Sequence, residues 1–300
     1  MRVFVTGASG WIGSAVVPEL IGAGHQVVGL ARSEASAATL AATGAEVLRG
    51  NLDDLDTLRA GAASSDGVIH LAFRHDIAFS GGFQTAIDTD HRAIETLGSV
   101  LAGSGKPLVI ASGTPALPGR VATERDDLPS EGPTAARAAN ARVALGMAAR
   151  GVRSSVVGLP RSVHGEGDHH GFLASLIGLA RDKGVSGYVG DGSSRWPAVH
   201  RSDAAQLFRL ALEQAPAGSM LHAVADEGVP VRDFAAVIGR HLDLPTGSLP
   251  TEDFGFLGMI LAVDQPASSV FTRELLGWQP THLGLIDDLE QGHYFRPPSA

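Results

Sequence analysis

The sequence predicts an α/β fold, a doubly wound parallel sheet followed by a smaller, discontinuous C-terminal lobe. Three observations predict it. Short apolar runs alternate with amphipathic stretches over the first 160 residues. The first run, Val3 to Val5, passes straight into Gly7, Gly10 and Gly13 and then into an amphipathic segment. Beyond Pro160 the alternation loosens, and helical stretches are separated by loops rich in Gly and Pro.

Taken in order, strands are expected at Val3–Thr6, Gln26–Ala31, Glu46–Arg49, Val68–Leu71, Leu108–Ser112 and Ser154–Leu159. Helices fall between them, at about Trp11–Gly22, Ala35–Thr43, Leu55–Ala62, Phe83–Ala102 and Thr134–Arg150. Further helices are expected at Phe172–Lys183, Asp203–Glu213, Val231–Leu242 and Ser269–Leu275. This divides the chain into a nucleotide-binding unit, residues 1–160 with about 196–225, and a substrate lobe, residues 161–195 and 226–300. The terminal Pro-Pro-Ser-Ala reads as a disordered tail.

A strand that runs through a tight glycine turn into a helix points backbone N–H groups and a positive helix end at one spot, which suits a pyrophosphate. Gly7 would permit the turn, Gly10 the approach of the phosphates, and Gly13 the packing of helix on strand. Composition fits a compact globular chain of 300 residues, 44% of them hydrophobic. No run approaches the roughly 18 to 20 apolar residues that span a bilayer, and the N-terminus has no signal-peptide pattern. The chain has no cysteine, so disulfides and thiolate chemistry are excluded, in keeping with a cytoplasmic location. A net charge of −9 without a basic block argues against nucleic acid or a membrane surface as partner. A homodimer is left open.

The turn itself reads TGASGWIG, a G-x-x-G-x-x-G spacing. In that form, and with VIHLA (Val68–Ala72), ASG (Ala111–Gly113), VVGLPRSVHGEGD (Val156–Asp168) and WPAVHRSDAA (Trp196–Ala205) following in order, the chain resembles the short-chain dehydrogenase/reductase superfamily. The likeness is to its extended and atypical, NAD-dependent epimerase/dehydratase-like branches. It covers about the first 210 residues well and implies a Rossmann-type fold and a nicotinamide cofactor.

For the cofactor, the glycine turn (Gly7, Ser9, Gly10, Trp11, Ile12, Gly13) is expected to hold the pyrophosphate. An NAD enzyme usually ends its second strand with an acid on the ribose 2′-OH; here Ala31 stands there, with Arg32 and Ser33 next. A guanidinium can form paired bonds to a 2′-phosphate, so NADP (NADPH) is favoured over NAD. The resemblance places Asn51 and Leu52 by the adenine, and Leu71, Ala72, Phe73 and Pro160 along the rest of the cofactor. Asp53 and Asp54 read as charges at a helix start.

The superfamily's active site uses a Tyr and a Lys four residues on, the Lys lowering the pKa of the Tyr. The chain has only two tyrosines, Tyr188 and Tyr294, and aligning Pro133 with the proline before that motif puts Arg137 in the Tyr slot and Ala141 in the Lys slot. Arginine does not release its proton near neutral pH, but it can stabilise an oxyanion or hold an acidic group. Ser112, with Thr114, keeps the place of the substrate-orienting hydroxyl. Among twelve histidines, His75 and His164 lie in loops at the expected carboxyl edge of the sheet and are the candidate proton donors. His164, Asp168, His169 and His170 include no helical i, i+4 His pair, so no metal is expected. Arg195 and Trp196 are expected by the substrate cavity, His200 as a structural anchor, and Trp11 as packing. The resulting expectation is NADPH-dependent reduction of a small-molecule carbonyl, or the reverse oxidation. The alternatives are an epimerase or dehydratase, or a non-catalytic dinucleotide sensor.

Overall fold

The computed structural model describes residues 1–78, 80–117, 119–132 and 135–296. Pro133, the residue used to align the Tyr slot, lies outside them, as do Thr134 at the expected start of its helix and the terminal Pro-Pro-Ser-Ala.

Twelve strands are described: β1 (Arg2–Thr6), β2 (Gln26–Ala31), β3 (Glu46–Arg49), β4 (Gly67–His70), β5 (Pro107–Gly113), β6 (Arg153–Leu159), β7 (Ser162–His164), β8 (Ser186–Tyr188), β9 (Arg195–His200), β10 (Ser219–His222), β11 (Asp226–Pro230) and β12 (Thr246–Ser248). The helices used below are α1 (Gly13–Gly22), α2 (Glu34–Ala42), α3 (Leu55–Ala63), α4 (His75–Ala78), α5 (Phe83–Leu101), α6 (Ala135–Gly146), α7 (Phe172–Lys183), α8 (Arg201–Gln214), α9 (Val231–Leu242), α10 (Phe256–Leu261), α11 (Val270–Leu276) and α12 (Leu285–Glu290).

The large sheet has seven strands in the order β10-β6-β5-β4-β1-β2-β3, and every neighbouring pair is parallel. Period-two alternation loads both of its faces. Val3, Val5, Ile69, Val109 and Val157 pack with α1 and α8 on one side. Phe4, Val68, Leu108, Ile110 and Val156 pack with α3, α5 and α6 on the other. The six expected strands all occur, and the structure adds β10 beside β6. Four residues with polar ends carry too little periodicity to be read as a strand. The order reverses between β1 and β4, and that switch opens a crevice at the carboxyl ends of the strands, where open α/β sheets bind ligands.

The remaining strands form a three-stranded sheet, β11-β9-β7, and the pair β12-β8. Trp196 of β9 is fully buried there, 5.4 Å from the ring of Phe234 on α9 and 6.1 Å from that of Phe172 on α7. It belongs to the core of this lobe and not to a cavity wall, because its large apolar surface gains most from complete burial. Arg195 is likewise tied off, by two bonds to Asp264. The C-terminal segment returns to the first lobe: Trp278 is buried against the large sheet and donates to the Asp203 carbonyl of α8, while Asp203 accepts from Thr281, His282 and the His282 ring.

Candidate functional site

The turn after β1 is built on the glycines. Gly7 has φ +68°, and a Cβ there would come 2.6 Å from the Ala72 nitrogen. A Cβ on Gly13 would come 2.1 Å from the Gly7 carbonyl. Both are demanded by the protein's own packing. At Gly10 the nearest contact is 3.2 Å, again with the Gly7 carbonyl, and the space beyond is open. Trp11 does more than pack: its indole N–H donates to the Val163 carbonyl at 2.7 Å, and the Arg201 guanidinium lies 4.1 Å from its ring centroid. The indole therefore ties the glycine turn to β7.

Along the carboxyl edge of the sheet runs a cleft of about 1770 Å³. Gly7, Ser9, Gly10, Trp11, Ile12 and Gly13 line one stretch of it, and Leu71, Ala72, Phe73 and Pro160 continue the wall. Asn51 and Leu52 stand at one end with Leu30 and Arg32. Asn51 is partly committed, since its side-chain oxygen accepts from the Asp53 amide at 2.8 Å. Ser33 does not line the cleft. It caps α2, accepting from the Ser36 amide at 3.2 Å, because a hydroxyl at that position satisfies an otherwise orphaned helix donor.

That end carries charges the sequence did not assign. Arg32 pairs with Asp76 at 3.0 Å, and Arg74 bridges Asp76 at 3.1 Å and Asp53 at 3.0 Å. Hydrogen bonds from Arg74 and Arg32 hold the Asp76 carboxyl down to about 2. Asp54 caps α3 through the Thr57 amide as a helix-start charge should, whereas Asp53 turns to the cleft. The signal for Arg74 was its place four residues beyond β4, at the same edge as the glycine turn.

At the other end Arg137, on α6, reaches the cleft wall. It donates to Asp90 and to the Ala111 carbonyl, each at 3.2 Å, and its guanidinium sits 4.1 Å above the Phe73 ring. Asp90 is buried and also accepts from Asn140 at 2.7 Å and from the ring of His70, whose other nitrogen meets the Thr6 hydroxyl. Burial pushes the Asp90 carboxyl up, but the His70 bond and the Arg137 charge outweigh it and hold it below the usual range. Ala141, in the Lys slot, is core.

His75, Ser112, Thr114, His169 and His170 line the cleft. The His75 ring meets Phe73 edge-on at 5.0 Å. Burial first, and then the Arg137 charge, push its pKa below the ordinary histidine value, against the pull of Asp76 and Asp90. His164, the second expected proton donor, is a correction. It is fully buried, off the cleft, and bonded through Nδ1 to Asp288 at 2.8 Å. Its strand enters the small sheet, so the ring points into the protein. Neither tyrosine lines the cleft: Tyr188 packs in the small lobe, and the Tyr294 hydroxyl bridges the Gly165 amide and Asp168. Among the described residues, no three His, Asp or Glu are grouped to hold a metal, and no helix is long and apolar enough to cross a membrane.

A doubly wound sheet with this glycine turn and switch-point cleft defines a dinucleotide-binding α/β protein of the short-chain dehydrogenase/reductase type. More narrowly, the chain belongs to the NAD dependent epimerase/dehydratase family, whose model matches residues 3–223. An uncharacterized protein of Schizosaccharomyces pombe is 49% identical over 98% of this chain and 100% of its own length. The 4-hydroxy-2-methyl-3-oxo-4-farnesyl-3,4-dihydroquinoline-1-oxide ketoreductase of Stigmatella aurantiaca is 28% identical over 79% of this chain and 72% of its own. MoeE5 in complex with UDP-glucose and NAD superposes with a TM-score of 0.78 at 24% identity, over 98% of this chain and 97% of that one.

Proposed function

We propose that the protein is an NADPH-dependent reductase of a small-molecule carbonyl, able to run the reverse oxidation. The observation that carries this reading is the end of the cleft beside Leu52. Ala31 replaces the acid that would meet a ribose hydroxyl, and Arg32 and Arg74 face the same space. Two guanidiniums suit a 2′-phosphate, which needs charged, multiply donated contacts.

The residues fit a dinucleotide. Gly10 leaves room beside the turn, α1 begins at Gly13 so that its first N–H groups face that room, and Leu30 and Leu52 form an apolar flank. When bound, the cofactor supplies or takes up the two electrons of the carbonyl–alcohol interconversion. The chain's part is to position the carbonyl and handle a proton. Ser112 would donate a hydrogen bond to the substrate oxygen, and Arg137 would stabilise negative charge developing there. Arg137 cannot supply the proton, since burial lowers a pKa that remains that of a strong base. His75, beside Arg137 and Phe73, is a titratable group of the cleft that can exchange a proton.

A second reading is an epimerase or dehydratase that oxidises its substrate transiently and restores the cofactor. It is supported by the family to which the chain belongs. Stoichiometry separates the two. A panel of aldehydes and ketones incubated with the protein and NADPH should consume cofactor in step with alcohol formed. Product without net NADPH loss would favour the second reading. Tight NADPH binding with no product in either assay would point to a non-catalytic binding protein.

A further inference from the structure

We propose that Arg161 anchors a carboxylate on the substrate, so that the carbonyl compound handled in the cleft is an acid. This deepens the reading above and rests on it. Arg161 follows Pro160 at the carboxyl end of β6 and lines the cleft. Its Nε–H donates to the Gln265 side-chain oxygen and its Nη1 to the Ile260 carbonyl of α10. Both acceptors are neutral. Arg32, Arg74 and Arg137 each pair with a carboxylate, and Arg201 feels that of Asp168. Among the described residues Arg161 has no such partner, and burial alone pushes its pKa down to about 10.

A half-buried guanidinium without a counter-charge is costly, and an anion from solution is the group that would offset it. The side chain is also pre-set. Gln265 is 5% exposed and is itself held by donating to the Thr114 carbonyl at 2.5 Å, which fixes the oxygen it presents to Arg161. With Nε and one Nη1 hydrogen used, one N–H on Nη1 and both on Nη2 remain for a ligand. Two parallel donors in one plane match a carboxylate. Ser112 stands on the adjoining β5 and Thr114 directly after it, so an acid gripped by Arg161 would present its far end along the wall that carries the Ser112 hydroxyl. The glycine turn provides for the cofactor's phosphates through backbone N–H groups, so Arg161 is not needed for them.

The test compares 4-formylbenzoate with its amide, 4-formylbenzamide, and with 4-formylphenyl phosphate, by calorimetry on the full chain saturated with NADPH. The carboxylate should bind about ten-fold or more tightly than the amide, the size of a charged bidentate contact. In Arg161→Met that preference should shrink to within about two-fold, with Arg161→Lys between, while NADPH affinity stays unchanged. Equal binding of acid and amide to the wild type, absence of binding by both, tighter binding of the phosphate ester, or an undiminished preference in Arg161→Met would each overturn the assignment. The wild-type comparison decides the matter if a variant fails to fold. Intact NADPH binding with no carboxylate preference removes Arg161's role alone. Absent NADPH binding overturns the functional reading and this one with it.

Discussion

Asp90 and Arg137 form an ion pair at 3.2 Å behind the cleft wall, with the carboxylate 5% exposed and the guanidinium 25%. The pair is held from behind by Asn140 and His70. Such a pair is sensitive to losing either half, because the survivor is left charged and poorly solvated.

Replacing Asp90 with Ala should therefore destabilise the fold by about 3 to 5 kcal/mol, more than Arg137→Met does. Urea unfolding of both variants checks the order. Equal losses would mean that the pair contributes by packing and not by charge.

At the glycine turn the second and third glycines divide binding from folding. Gly10→Val should abolish dinucleotide binding with only a modest drop in Tm, since its side points to open space. Gly13→Val should compromise the fold itself, because its Cβ would come 2.1 Å from the Gly7 carbonyl. A Gly10 variant that binds NADPH normally would remove the pyrophosphate from this turn.

For the cofactor, Arg32→Ala should weaken NADPH by roughly ten- to a hundred-fold and NADH little, the span of a charged hydrogen bond. Asp76→Asn should have the opposite sign for NADPH, because Asp76 competes for both Arg32 and Arg74. Calorimetric titration of the two cofactors against each variant measures this. Parallel losses in both would remove Arg32 from 2′-phosphate recognition.

If His75 handles the proton, the reductive rate should fall with rising pH through a limb below 6.5, because its pKa is lowered from that value. The oxidative rate should rise through the same limb. His75→Gln should lose the limb and lower turnover by about two to four orders of magnitude while leaving cofactor affinity alone. A variant with normal turnover would shift attention to Ser112 and an ordered water.

A second histidine is expected to tie stability to pH. His200 caps α8, stacks on His282 at 4.6 Å and meets His164 edge-on at 5.6 Å. Burial first, then the charges of His164 and His282, push its pKa down to about 4, against the pull of Asp288 and Asp203. The unfolded chain takes up a proton near 6.5 that the folded chain refuses until about 4, so stability should decline as pH falls through that window. Thermal melts from pH 7 to 4 should show this, and His200→Asn, whose side-chain oxygen can replace Nδ1 as the N-cap acceptor for Ser202, should flatten the slope. An unchanged slope would assign the acid sensitivity elsewhere.

The legible parts were local. TGASGWIG carried the turn because its three glycines answer to contacts within one strand–turn–helix unit, and the parallel strands showed because burial on both faces demands unbroken apolar runs. The loss of the Tyr and Lys was readable because it is a matter of residue identity. His164 misled because a loop position beside the sheet edge says nothing of which way the ring turns, and β7 turns it inward. Ser33 misled because capping and ligand binding ask for the same hydroxyl.

Residue order alone thus determined the doubly wound α/β class, the dinucleotide turn and the absence of the superfamily's usual proton donor, since each depends on neighbours a few positions apart. Only the tertiary structure decided which side chains meet. Arg32 with Asp76, Arg137 with Asp90 and Arg161 with Gln265 are separated by 44, 47 and 104 residues. Nothing local constrains such pairs. They form because parallel crossovers bring distant loops to one edge of one sheet.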